Sequence, residues 1–169
     1  MKTVFRISRD MVEEIKADLQ RPHPIAFERV GFVYVKRGSL DKDLLLIASS
    51  YFSVKDEHYK KPKEGEYAGA VISRYAITEA MQRALSTGDG VFHIHMHDYS
   101  LKFSGVDKKS QSALMPSFYH VSPVGPHGAL LLSSKGIAGC FWTIKGKLNF
   151  LSKISVVGYP CEYYEVKAI

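Results

Sequence analysis

The chain of 169 residues predicts a mixed α+β fold, an α/β sandwich in a single domain over residues 1–169. Three observations carry this. Runs rich in β-branched, aromatic and aliphatic residues recur along the chain, as strands require. Between them lie stretches whose apolar residues repeat at helical spacing. The two kinds of element do not alternate as regular βαβ units, so the expected sheet is mixed rather than purely parallel.

The elements follow in order. Residues 3–7, TVFRI, read as a short strand. Ser8 can accept from a first-turn amide and cap a helix, and Met11, Val12, Ile15 and Leu19 give that helix one apolar face. Pro22 and Pro24 stop it. Residues 27–35 and 44–54 read as paired strands, with Arg37-Gly38-Ser39 between them. Residues 55–69 are polar, carry Pro62 and Gly65, and read as a loop. Helical spacing returns over residues 73–85, where Ile77, Ala80, Met81, Ala84 and Leu85 form a stripe and Thr87-Gly88 ends it. A strand through VFHIHMH follows. Ser104 opens a helix that reaches about Leu114 and is closed by Pro116. Residues 128–133, 137–144 and 148–157 read as strands, with Lys145-Gly146-Lys147 as a hairpin turn.

Bulk properties narrow the function classes. A hydrophobic share of 46% with 24% charged residues is that of a soluble globular protein. No apolar run approaches the ~20 residues of a membrane span. The start, MKTVFRISRDMVEE, turns charged too early for a signal peptide. Cys140 and Cys161 are too few for a disulfide framework and neither lies in a CxxC, which fits a reducing, cytoplasmic setting. The net charge of +6 is scattered. Its densest group, Lys60, Lys61 and Lys63, sits among Glu57, Glu64 and Glu66 and reads as solvated surface rather than a nucleic-acid face. The same balance suits an acidic protein partner.

Residues 91–107, VFHIHMHDYSLKFSGVD, are the densest group of potential metal ligands. On a strand, His93, His95 and His97 share one face. Two imidazoles whose Cα atoms lie roughly 6.6 Å apart can converge on one ion at about 2.0–2.1 Å. Asp107, brought back by the following turn, would add an oxygen ligand. Three protein ligands with one open position make a catalytic zinc site rather than a structural one. Ser104-Gly-Val-Asp107 is also close to a capping box at a helix start. The two readings agree, because a capped start holds Asp107 rigidly. Alternation leaves open whether His93 or His97 joins His95. Hydrolysis also needs a general base that is not a ligand. Glu28, opening the apolar strand FERVGFVYV, is notable among the acids.

Glu28 in ERVGF, His93-Ile94-His95 and Ser104-Gly-Val-Asp107 together resemble the JAB/MPN family, whose metalloprotease branch carries the JAMM motif. That motif runs from a glutamate on an early strand through His-x-His to Ser-x-x-Asp. The likeness extends from about Pro24 to Trp142. Two departures stand out. Met96 replaces the proline that usually follows the second histidine. In the usual form, Ser and Asp lie eight and eleven residues beyond that histidine. Here the intervals are nine and twelve from His95, or seven and ten from His97. Prokaryotic members with a longer loop ending in Phe-Ser, like Phe103-Ser104, favour His93 and His95. His97 would then stand beside the ligands or face substrate.

The resemblance implies a JAB/MPN-like mixed β-sheet flanked by helices and a zinc-dependent, deubiquitinase-like isopeptidase. His93, His95 and Asp107 would hold Zn²⁺. Glu28 would take a proton from water, and the Ser104 hydroxyl would stabilise the oxyanion. Substrates would be conjugates or precursors of ubiquitin or a ubiquitin-like protein, with E1- or E2-like proteins as possible pathway partners. Stand-alone prokaryotic JAB proteins are the nearest type, and some of their gene clusters serve antiviral defence. The alternative is a non-catalytic MPN scaffold or modifier-binding module. Elsewhere, His120 and His127 read as loop-surface histidines and Cys140 as a core residue. Trp142, Tyr163 and Tyr164 are open between core and interface.

Overall fold

Ser8 ends the first strand and starts the first helix: its Oγ accepts from the Met11 N–H at 3.2 Å. This junction belongs to a computed structural model that describes residues 2–65 and 69–166. Strand β1 (Thr3–Ser8) leads into α1 (Arg9–Leu19), whose buried face is Val12, Ile15 and Leu19. The hairpin β2 (Val30–Leu40) and β3 (Asp43–Ser53) follows, then the two-residue strands β4 (Tyr59–Lys60) and β5 (Val71–Ile72), which pair with each other. Next come α2 (Arg74–Thr87), β6 (Gly90–Met96), α3 (Gly105–Val121), β7 (His127–Ser133), β8 (Gly136–Trp142), β9 (Leu148–Phe150), β10 (Lys153–Val157) and β11 (Glu162–Glu165).

Nine strands form one mixed sheet in the order β11-β10-β1-β3-β2-β6-β7-β8-β9. The pairs β1–β10, β1–β3 and β6–β7 are parallel; the rest are antiparallel. The mixed class that the sequence predicts is present. Helices cover both faces, so central strands are buried on both sides and read as unbroken apolar runs. In β2, Val33 and Val35 join the cluster under α1, while Val30, Phe32 and Tyr34 join the cluster under α2 and α3. Strands β9 and β10 are consecutive in sequence yet lie at or near opposite ends of the strand order. The sheet is therefore strongly curled. Leu151 N–H reaches Gly139 O on one side, and Ser152 N–H reaches Thr3 O on the other. Among the described residues no helix is long and apolar enough to cross a membrane.

Several sequence expectations need correction. The segment 148–157 is two strands, because the chain changes sheet partner at Leu151 and Ser152. Arg37, Gly38 and Ser39 lie inside β2, and the hairpin turns later, at Asp41 with φ 53°. Glu28 precedes β2 rather than opening it. The polar segment 55–69 contains β4 and a single 3₁₀ turn, Asp56–His58; its residues 66–68 lie outside the described residues. In α2 the buried face is Ala76, Ala80 and Ala84, and Leu85 is exposed. Small side chains there bring the helix close to the sheet. Gly88 ends α2 as expected, in the left-handed conformation at φ 72°.

The largest difference is at Pro116, which α3 passes straight through. A mid-helix proline costs about 3 kcal/mol, through its missing N–H and a steric clash. Met115 and Phe118, on either side, are 2% and 0% exposed. Burying two such side chains offsets the break, at roughly 1.5–3 kcal/mol each.

Candidate metal centre

Period-two alternation divides β6 cleanly. Phe92 and Ile94 enter the core under α1, and Val91 faces α2 and α3. His93 and His95 share the second face, opposite Phe32 and Val30 of β2. His97 lies just past the strand end, where its N–H donates to Leu132 O at 2.9 Å. His95 is the deepest of the three, at 1% exposure, and neither of its ring nitrogens has a hydrogen-bond partner among the described residues.

Helix α3 begins beside this strand end. Ser104 and Asp107 form the capping box that the tetrad predicts. The box fixes the Asp107 carboxylate against both imidazoles. Oδ1 lies 3.5 Å from His95 Nε2, and Oδ2 lies 3.7 Å from His97 Nε2. Burial alone would raise the Asp107 carboxyl. The His95 imidazole and the Ser104 donors outweigh it and hold the group well below the usual carboxylate range.

Glu28 reaches the same place from a different direction. Its N–H and that of Phe27 both donate to Gly69 O, at 3.0 and 2.9 Å. Arg29, 3% exposed, locks the next position through Arg21 O, Pro22 O and Asp56 Oδ1. The Tyr59 hydroxyl accepts from Val30 N–H at 2.9 Å and donates to Val30 O at 3.2 Å. Gly69 packs so tightly on the glutamate that a Cβ there would land on the carboxylate. As a result, ligand atoms of Glu28, His95 and His97 all lie within 4.8 Å of one another. This group could hold a metal ion. The two buried ring nitrogens of His95, without a hydrogen-bond partner among the described residues, lie with the half-buried His97 beside two carboxylates, a donor set suited to a divalent cation.

The geometry brings His97, as well as His93, beside His95, and it is His97 that joins His95 and Glu28 in the convergent group. The His95 and His97 ring centroids are 4.9 Å apart, and those of His93 and His95 are 5.8 Å apart. His93 meets the edge of Phe32 at 5.8 Å. Burial, with His95 beside it, pushes the His93 imidazole down to about 3. Asp107 returns at the C-terminal end of β6, and that places it beside the later pair. His93 instead lines a cavity of about 520 Å³ with Glu28, His95 and Asp107, walled by aliphatic residues of β5, α2 and α3. A second cavity, about 560 Å³, has Glu28 and His97 in its lining.

One residue of this cavity was missed by sequence reasoning. Gln111 lines the 520 Å³ cavity at 3% exposure. Gln111, Met115 and Phe118 form the buried face of α3 at helical spacing, a signal hidden by ending the helix at Pro116. Among the other histidines, His120 is exposed, but His127 is not on a loop surface. It begins β7 at 0% exposure, with Nδ1 accepting from Val91 N–H at 3.0 Å and Nε2 donating to Ser122 O at 2.8 Å. Two bonds of opposite sense make it a neutral core residue. Cys140 is buried as expected, and burial pushes its thiol up to about 12. Trp142 is buried, Tyr164 packs partly against the core, and Tyr163 is exposed.

Fold and site together define a mixed α/β protein with a histidine–carboxylate centre able to hold a metal ion. No protein-family model matches the chain, and no curated protein matches it.

Proposed function

We propose that this chain is a zinc-dependent peptidase of the JAB/MPN kind. It cleaves after the C-terminus of a ubiquitin-like modifier, either to release a conjugated lysine or to trim a precursor. The observation that carries this reading is the convergence of Glu28, His95 and His97 within 4.8 Å, with the Asp107 carboxylate 3.5 Å and 3.7 Å from the two imidazoles.

His95, His97 and Asp107 would hold the zinc. When bound, it lowers the pKa of water toward ~7 and polarises the scissile carbonyl. Glu28, packed against Gly69 beside the two imidazoles, takes a proton from the attacking water and returns it to the leaving nitrogen. The Ser104 Oγ already accepts from Asp107 N–H, so its own proton is free to be donated to the developing oxyanion. The apolar walls of the adjoining cavity exclude water from an extended tail lying in it.

The test is metal analysis of the purified chain, together with incubation of the zinc-loaded protein with ubiquitin-like proteins extended by a short peptide or joined to a lysine. Stoichiometric zinc and cleavage after the modifier's final residue are expected. A protein that binds no zinc, or that binds zinc but cleaves none of these substrates, refutes the proposal.

A further inference from the structure

Helix α3 carries a second group toward the substrate cavity. Gln111 stands four residues after Asp107, hence one turn along the same face. Its side chain is 3% exposed and lines the cavity, and neither Oε1 nor Nε2 has a hydrogen-bond partner among the described residues. Leaving both ends of a buried carboxamide unpaired costs stability, and a leucine or methionine would suit this helix face, shared with Met115 and Phe118, without that cost. The surrounding cavity wall is largely aliphatic, from Val30, Ile72, Val106 and Leu114. Ser110 and Ser117 of the same helix also line the cavity, beside Glu28, His93, His95 and Asp107, and Gln111 is the one carboxamide in that lining. A carboxamide beside aliphatic wall matches one peptide unit flanked by an apolar side chain. It offers one acceptor and one donor to the unit's N–H and C=O.

We propose that Gln111 is a specificity-determining residue that takes up one backbone peptide unit of an extended substrate segment, with a bulky aliphatic side chain of that segment against the cavity wall. The assignment rests on the peptidase reading above. Four residues of helix span about 6 Å, which is about two residues of extended chain. A segment running alongside α3 would then present to Gln111 a unit about two residues from the bond that is cut.

The experiment measures binding of fluorescent capped hexapeptides to the full chain, with and without added zinc, by anisotropy. The peptides carry leucine or glycine at one position and are also made with single backbone N-methyl groups. Wild-type protein should prefer leucine to glycine, and one N-methyl position should weaken binding about tenfold. Gln111→Met, which keeps size and helix propensity, should bind about tenfold more weakly and lose sensitivity to that N-methyl group. The N-methyl scan on wild type tests the pairing even if the variant folds poorly. Absence of saturable binding, an even N-methyl penalty at all positions, or a Gln111→Met protein that keeps the wild-type pattern overturns the assignment. Zinc uptake in the same samples separates the two ideas. Selective peptide binding without zinc uptake sinks the peptidase and leaves the peptide site standing; zinc uptake without peptide selectivity sinks the role of Gln111.

Discussion

Ser104 and Asp107 hold each other in place. The Ser104 N–H donates to Asp107 Oδ2 at 2.7 Å, and the Asp107 N–H donates to Ser104 Oγ at 3.1 Å. One pair of bonds starts a helix and aims a carboxylate at two imidazoles. Ser104→Ala should cost about 1 kcal/mol as a lost cap and lower the melting temperature by roughly 2–4 °C. On the proposed peptidase reading, in which Ser104 is also an oxyanion donor, it should lower turnover far more, by about 10²-fold. Melting curves and turnover measured on the same preparations check this. Activity falling only in step with the folded fraction would leave the serine a cap and nothing else.

The choice between ligand pairs is open to direct measurement. His97→Asn and His95→Asn should each abolish stoichiometric zinc binding, whereas His93→Asn should retain it. Elemental analysis after dialysis reads the outcome. Zinc lost from the His93 variant and kept by the His97 variant would restore the earlier pair.

Glu28→Gln should keep zinc and slow hydrolysis by roughly 10²–10⁴-fold, the usual contribution of a positioned general base. A variant that loses its zinc would mean that Glu28 is a ligand instead.

Gly69 offers a way to move Glu28 without changing it. Because a Cβ at this position would land on the Glu28 carboxylate, Gly69→Ala should reduce turnover while leaving zinc content unchanged. Normal turnover in this variant would show that the carboxylate works from another position.

His127 makes stability depend on pH. Burial pushes its imidazole down to about 4 from 6.5, only partly opposed by the Ser122 carbonyl. The unfolded chain takes up the proton near 6.5 and the folded chain only near 4. Stability is therefore full above 6.5 and declines as pH falls toward 4, by about 3 kcal/mol at most. His93 is depressed in the same direction, so the comparison must be with His127→Gln. In urea titrations with chelator present, that variant should be less stable at pH 7 and show a shallower pH slope. Parallel slopes would refute the assignment.

What could be read from the sequence was what is local. Ser8 and Ser104 cap helices through bonds spanning three residues, and Gly88 ends α2 by its own backbone freedom. The histidine face and the Ser-x-x-Asp tetrad were legible for the same reason. Features that depend on distant partners were not. Alternation treats His93 and His97 alike, and only the position of α3 against the end of β6 separates them. Glu28 is placed by Gly69, forty-one residues away. The continuation of α3 through Pro116 depends on what Met115 and Phe118 meet in the core, which no local rule contains.

The placement of β1 has a consequence for how the molecule assembles. Val4 lies between Leu45 and Lys153, so the first strand is an interior strand whose two neighbours come from far apart in the chain. On the ribosome, β1 can meet β3 early but must wait for β10 before its other side is paired. Until then it presents an open, apolar edge to other chains. Nascent chains stopped before residue 153 should therefore depend on chaperones, and the final docking of β10 should be slow, as closure between remote segments generally is.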